Sequence, residues 1–381
     1  MFNPDEDEPE MNECHAEALS SLIVDHIRLA RSRCETLGWL IASILTAGTV
    51  SLTRLAACID SRAQIASVHR RLERFFSDVR LNEADVARLV VAALSLAAKP
   101  WHLAIDRTNW QFGKTDLNLL VLSVAHGEVC IPLFCRVLDK AGHSNTAERI
   151  DLMQVFKATF PDQPVASLAG DREFIGNAWI EWLQQAAIPH FLRLREDMHV
   201  FNNNHAPLPL RQHGARLKTG QRLVLKGCWH VGGSARNASP PVRIVILRLK
   251  TGELLIIASR SRPQHALKIY RQRWKIETLF AALKTRGFNL EATHMTNPVK
   301  LSTLIAILAM AAGVAYKTGL WALGGQPRRC KGHGRPARSL FALGLDALRK
   351  LCAARTFVQS LQILLGLLIG NSMESLLYSE V

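Results

Sequence analysis

The chain has 381 residues, of which 48% are hydrophobic and 21% charged, enough apolar material for a large core, which excludes a disordered polypeptide. Lys and Arg number 47 against 32 Asp and Glu, a formal charge of +15, so a polyanion is the first partner to consider. The eight cysteines are scattered without a CxxC pair or a Cys/His cluster at zinc spacing, and reduced thiols are expected.

The N-terminal MFNPDEDEPEMNE is acidic and lacks the positive-then-apolar order of a secretory signal, so a cytoplasmic protein is expected. From Glu17 to about residue 98 the apolar residues recur at three and four spacing, the pattern of helices. Within it, Val50 to Phe76 reads as two or three short helices broken near Asp60 and Ser61. The cations Arg62, His69, Arg70, Arg71 and Arg74 follow that break, as in a helix-turn-helix with a basic second helix that contacts DNA.

At Pro100 the texture changes to strand. WHLAID ends on Asp106, and LNLLVLSVA and VCIPLFCRVL follow, separated by His126, Gly127 and Glu128, which predicts a three-stranded antiparallel meander. A helix from about residue 146 to 160 leads to the strand VASLAG, which delivers Asp171, and then a helix and the strand HFLRLR follow. The order β-β-β-α-β-α-β is that of a mixed sheet with crossover helices. Ligand chemistry in such sheets collects at strand ends, and adjacent strands would set Asp106 and Asp171 side by side. Each could equally be a turn-former or a helix cap.

Between residues 196 and 259 the chain is loop-rich and then β-like, an all-β insertion long enough for a small lobe. Trp229 within it offers a face for stacking on an unpaired base, but packing in the insertion's own core is the favoured reading. Helix resumes near Gln264. On an ideal helix Tyr270, Arg273, Glu277 and Lys284 fall within an arc of about 60°, with Ile269, Ile276, Leu279, Phe280 and Leu283 on the face that is buried. One carboxylate among cations suits a metal ligand flanked by phosphate clamps, while an ordinary Glu277–Arg273 pair at four-residue spacing would look the same. The apolar stretch Leu301 to Tyr316 is shorter than the roughly 20 residues of a membrane span and predicts a buried core helix, with no membrane partner. A basic loop, GGQPRRCKGHGRPAR, separates it from a helical C-terminal region.

LAIDRTNWQFG, LAGDREF and the spacing Y-x2-R-x3-E-x6-K resemble the three signature blocks of the DDE transposases of the insertion-sequence-four group, over about residues 101 to 300. The resemblance implies an α/β fold: a ribonuclease-H-like mixed sheet with an all-β insertion, flanked by helical N- and C-terminal regions. It implies a helical DNA-end-binding region at 1–99, a catalytic core at 100–195 interrupted by the insertion at 196–259 and resumed at 260–323, and a basic loop with helical C-terminal region at 324–381. Asp106, Asp171 and Glu277 match the catalytic, metal-binding acids, and Tyr270, Arg273 and Lys284 match the DNA-facing positions. Three converging carboxylates repel one another unless cations lie between them, and two divalent ions, Mg2+ or Mn2+, fit that need.

The activity implied is cleavage of double-stranded DNA at transposon ends followed by strand transfer into target DNA, by a homodimer on paired ends in the bacterial nucleoid. A nuclease of the same fold without strand transfer is the rival enzyme. A non-catalytic DNA-binding relic is the other alternative, and the presence of all three acids argues against it.

Overall fold

The computed structural model describes residues 27–328, 330, 332, 336–368 and 372. The acidic N-terminal segment and part of the basic loop lie outside the described residues. Two compact units are present, one formed by Lys99–Asn109 and Asn118–Thr278, the other by Met1–Ala98, Trp110–Leu117 and Leu279–Val381.

In chain order the elements are α1 (Arg31–Ala47), α2 (Leu52–Cys58), α3 (Ile65–Asp78), α4 (Glu83–Ala93), β1 (Trp101–Phe112), β2 (Thr115–His126), β3 (Val129–Leu138), α5 (Thr146–Thr159), β4 (Val165–Gly170), α6 (Asn177–Gln185) and β5 (His190–Leu194). There follow β6 (His199–Asn202), β7 (His205–Pro209), α7 (Leu210–His213), β8 (Arg222–Val224), β9 (His230–Val231), β10 (Arg243–Arg248) and β11 (Leu254–Ser259). The chain then runs through α8 (Ala266–Tyr270), α9 (Lys275–Leu283), α10 (Pro298–Leu323), α11 (Leu340–Ala353) and α12 (Phe357–Leu368).

The main sheet has eight strands in the order β3-β2-β1-β4-β5-β11-β10-β8. β4 runs parallel to β1 and to β5, whereas β2 with β3, β11 with β5, and β10 with β11 and β8 are antiparallel. The sheet is therefore mixed, and its 3-2-1-4-5 half has the strand order of the expected ribonuclease-H-like architecture. β11, Leu-Leu-Ile-Ile-Ala-Ser, is buried at every residue, which is why it reads as a continuous apolar run rather than an alternating one. The β-rich segment 196–259 divides its strands: β6, β7 and β9 form a separate three-stranded sheet, while β8, β10 and β11 continue the main one. In the small sheet's neighbourhood Trp229 is 4% exposed, its Nε1 donates to the Lys226 carbonyl at 3.0 Å, and His205 stacks on it at 5.2 Å, so it is a packing residue here.

His190 opens β5 with no exposed surface, donating from Nδ1 to the Ile188 carbonyl at 3.1 Å. Burial is the main cause that pulls its imidazole down to about 4, with Arg260 adding to the effect. A depressed histidine binds its proton more weakly folded than unfolded, so its stabilisation is complete above the unfolded value of about 6.5 and is lost as pH falls towards about 4. Urea unfolding is expected to show a loss on the order of 3 kcal/mol across that window, and His190→Gln is expected to flatten the dependence.

The second unit is helical. α10 extends well beyond its apolar stretch because Asn297 caps it by accepting from the Val299 and Lys300 amides, Pro298 occupies its first turn, and Gly324 ends it in the left-handed region. It is the one helix among the described residues long and apolar enough to cross a membrane, and 78% of its most apolar window is buried inside the protein. α11 packs so closely on α10 that a Cβ on Gly344 would run into the Ala315 carbonyl oxygen, and one on Gly319 into that of Leu340. In the N-terminal helices the break between α2 and α3 spans Asp60 and Ser61 as expected. Arg71 of α3 turns inward onto Glu35 at 2.6 Å and over the Trp39 ring, whereas Arg62, Arg70 and Arg74 are exposed.

Candidate active site

The parallel register of β1 and β4 pairs Ile105 with Gly170, the last pair in the ladder. Asp106 and Asp171 are the next residues on each strand and emerge side by side. β1 does not end on Asp106 as expected. It continues to Phe112 beside β2, and Asp106 marks the point where β1 loses its parallel neighbour. Asp171 does follow β4 directly, and the turn that carries it closes with the Phe174 amide donating to the Asp171 carbonyl at 2.8 Å. Gly170 makes room for that turn: a Cβ there would lie 2.8 Å from the Cβ of Phe174 and 3.2 Å from Ile105 and Leu192.

The segment bearing Glu277 is not one ideal helix. α8 ends at Tyr270, Arg271–Trp274 is 3-10, and α9 begins at Lys275. The tighter 3-10 turn alters both rise and rotation from those of an α-helix, yet the side chains of Tyr270, Arg273 and Glu277 still meet on one side of the segment. Tyr270 is fully buried in an apolar cluster with Ala169, Phe191, Val245, Leu255, Ile257 and Ala266. Its hydroxyl donates to Asp171 Oδ1 at 3.3 Å and accepts from Arg273 Nε at 3.1 Å.

Arg273 is the hub of the site. Only 4% of its side chain is exposed; Nη1 lies 2.5 Å from Asp106 Oδ2, and Nη2 lies 3.2 Å from Glu277 Oε1 and 3.9 Å from Asp171 Oδ2. Burial works against its charge, yet Tyr270 and the three acids around it hold its guanidinium above the ordinary value. Asp106 is pushed up to about 6, chiefly by burial, with Asp171 and Glu173 adding to the rise against the pull of Arg273 and of the Arg107 amide. Glu277, by contrast, has 63% of its side chain exposed.

The structure thus brings Asp106, Asp171, Glu277, Tyr270 and Arg273 together. The expected phosphate-facing posture of Tyr270 and Arg273 is not the one seen, because both turn inward onto the carboxylates. Lys284 belongs to the other unit, where its Nζ is 3.0 Å from Glu291 Oε1 and 5.7 Å from the centre of the Trp110 ring. Among the described residues no group of three His, Cys, Asp or Glu side chains stands close enough to hold one metal ion, since Arg273 lies between these acids. The donor set still fits a divalent ion chemically: three carboxylates, all hard oxygen donors, within reach of one cationic group.

Sequence reasoning missed several neighbours. Arg193 of β5 lies 3.7 Å from Asp171 Oδ1 and 2.8 Å from Glu253. Arg107 pairs with Glu173 at 3.2 Å. The signal for the second pair was present, since Arg107 directly follows Asp106 and Glu173 sits two residues past Asp171. Nothing in the spacing of HFLRLR marks Arg193.

A family model described as the transposase DDE domain matches residues 97–313. Among solved structures, the cryo-EM structure of a piggyBac transposase synaptic complex with hairpin DNA is similar at 10% identity, covering 90% of this chain and 77% of that one with a TM-score of 0.47. A comparison with curated proteins gives no match. The matched span exceeds half of the sequence and contains both aspartates and the glutamate, so the chain belongs to the transposase DDE domain family and is a divalent-metal-dependent enzyme of DNA cleavage and transposition.

Proposed function

We propose that the chain is a transposase of the insertion-sequence-four group, with Asp106, Asp171 and Glu277 as its catalytic acids, acting as a homodimer on paired transposon ends. The observation that carries this reading is the convergence of three carboxylates, two from neighbouring parallel strands and one from a helix, on the single guanidinium of Arg273. The acids outnumber the cation between them, and the surplus negative charge suits Mg2+, which takes oxygen ligands. Bound by these acids, two such ions would activate the attacking water or 3′-hydroxyl and stabilise the leaving oxygen of an in-line displacement.

The chain's own groups have separable tasks. The Arg107 amide, 2.8 Å from Asp106 Oδ1, orients that carboxylate. Arg273 passes its planar fork from carboxylate to phosphate oxygens when a DNA strand enters, and Tyr270, its hydrogen-bond partner, fixes the direction of the fork. Lys284, the remaining position of the signature, is a further DNA-facing cation. Tyr270 is a positioning group and not a nucleophile: its ring is buried in the apolar cluster and its hydroxyl is held between Asp171 and Arg273.

End recognition falls to the N-terminal region 1–99, with the exposed Arg62, Arg70 and Arg74 of the α2–α3 pair against the phosphate backbone, and to the basic loop from Arg328 to Arg338. The core at 100–195 and 260–323 is the catalytic part, 196–259 its β-rich insertion, and 324–381 the C-terminal part. The enzyme works in the cytoplasm, on the nucleoid.

A strand-transfer assay with pre-cut ends, target plasmid and Mg2+ tests the reading. Joined product is expected. Hydrolysis of the DNA without joining would replace the transposase assignment of this site by that of a nuclease.

A further inference from the structure

Next to the three acids lies a closed ring of polar side chains that the reaction itself does not use. Arg107 Nε lies 3.2 Å from both Glu173 oxygens, with the two side chains only 12% and 14% exposed. Arg107 Nη1 donates to Asn118 Oδ1 at 2.9 Å, and the buried Asn118 amide donates in turn to the Lys140 and Gly142 carbonyls at 3.1 and 2.9 Å. The loop after β3 returns to Glu173 through His143 Nδ1 at 3.1 Å and Ser144 Oγ at 3.4 Å. A second buried arginine, Arg149 of α5, braces the same loop from behind: its Nε donates to Ser144 Oγ at 2.9 Å and its Nη1 to the Ile175 carbonyl at 3.3 Å.

The chain positions give the ring its meaning. Arg107 is the residue after Asp106, and its own amide holds the Asp106 carboxylate; Glu173 is two residues past Asp171, inside the turn that aims that carboxylate. Beyond Ile105 and Gly170 the parallel ladder gives out, so backbone pairing no longer sets the distance between β1 and the chain leaving β4. The Arg107–Glu173 pair crosses that gap just past the two acids, one residue beyond Asp106 and two beyond Asp171.

We propose that the Arg107–Glu173 ion pair is a positioning device that sets the spacing between Asp106 and Asp171 for divalent-ion binding. This rests on the reading of those aspartates as metal ligands. Outer partners that orient ligating carboxylates typically govern metal affinity by about 10–100-fold.

Mn2+ titrated into the full-length protein, with free ion counted by electron paramagnetic resonance, tests it without reference to cleavage. Arg107→Gln and Glu173→Gln are each expected to weaken Mn2+ binding by about 10-fold or more. A mere through-space charge effect would move the two in opposite directions, tightening binding when the cation is lost and weakening it when the anion is lost. Opposite signs, or affinities of both variants within about twofold of the parent, would overturn the proposal. Should either neutral variant fail to fold by circular dichroism, Arg107→Lys and Glu173→Asp keep the charges and change only the geometry: weakened Mn2+ binding in both supports positioning, and parental affinity in either refutes it. Asp106→Asn is the internal reference. If it binds Mn2+ as the parent does, the ligand assignment itself is at fault; if it loses Mn2+ while the ion-pair variants keep it, only the positioning role falls.

Discussion

Glu277→Gln and Asp106→Asn are each expected to reduce DNA cleavage by about 10^3-fold or more, the several kcal/mol that metal-assisted charge stabilisation contributes to such a barrier. Both replacements keep the shape of the side chain. Neither change opens a cavity, but Asp106 accepts from the Arg107 N–H through one oxygen and from the buried Arg273 through the other, so Asp106→Asn leaves one of those donors unpaired, whereas Glu277 is mostly exposed and Gln keeps an oxygen for Arg273. Glu277→Gln is the cleaner of the two because a mostly exposed side chain contributes little to folding. Binding of a transposon-end duplex, followed by gel shift, should change little, since it depends on phosphate contacts spread over the protein. Cleavage within tenfold of the parent by either variant would remove that residue from the catalytic set.

DNA affinity should collapse as salt rises. A protein that neutralises about 6–10 phosphates loses on the order of 10^3–10^5 in affinity between about 50 and 200 mM salt, through release of condensed counterions. The net charge of +15 and the exposed Arg62, Arg70 and Arg74 give this chain the cations for such a footprint. A log–log plot of the binding constant against salt is therefore expected to be linear with a steep negative slope. Charge reversal at Arg70 and Arg74 should make the slope shallower by about one unit for each phosphate no longer neutralised. A flat plot would mean that apolar or base contacts dominate, and would count against the phosphate-led picture.

Much of the core was legible because its local signals agree with its global arrangement. β2 and β3 were readable from their apolar runs and the His126–Glu128 turn, and β4 from VASLAG. The sequence offered the adjacency of β1 and β4 only as the arrangement that would set Asp106 beside Asp171, and the parallel ladder shows the two strands paired. The full extent of β1 was not legible: the apolar run stops at Asp106, and the strand goes on only because β2 lies beside it, a contact between residues far apart in the chain. The same limit applies to β11, whose place beside β5 no pattern within the 196–259 segment announces.

In the site, the structure brings Tyr270, Arg273 and Glu277, singled out by their spacing, into contact, but the outward, phosphate-facing posture expected of the first two is not the one seen. Tyr270 lies in the apolar cluster and Arg273 against the acids, and a wheel, which gives only the side of a helix, cannot say that this side faces the strand ends. The rival reading of Arg273 and Glu277 as a simple pair at four-residue spacing also describes a real contact, at 3.2 Å. Only the third dimension supplied Asp106 as the further partner of the guanidinium.

The third acid reaches the first two only after the chain has travelled through β6 to β11, of which β11 must dock on β5 to complete the sheet. On the ribosome, about 100 residues separate the emergence of Asp171 from that of Glu277, a delay on the order of 10 s at ordinary elongation rates. On the proposed assignment of the catalytic acids, a nascent or prematurely terminated product carries two of the three and is expected to leave the genome that encodes it uncut.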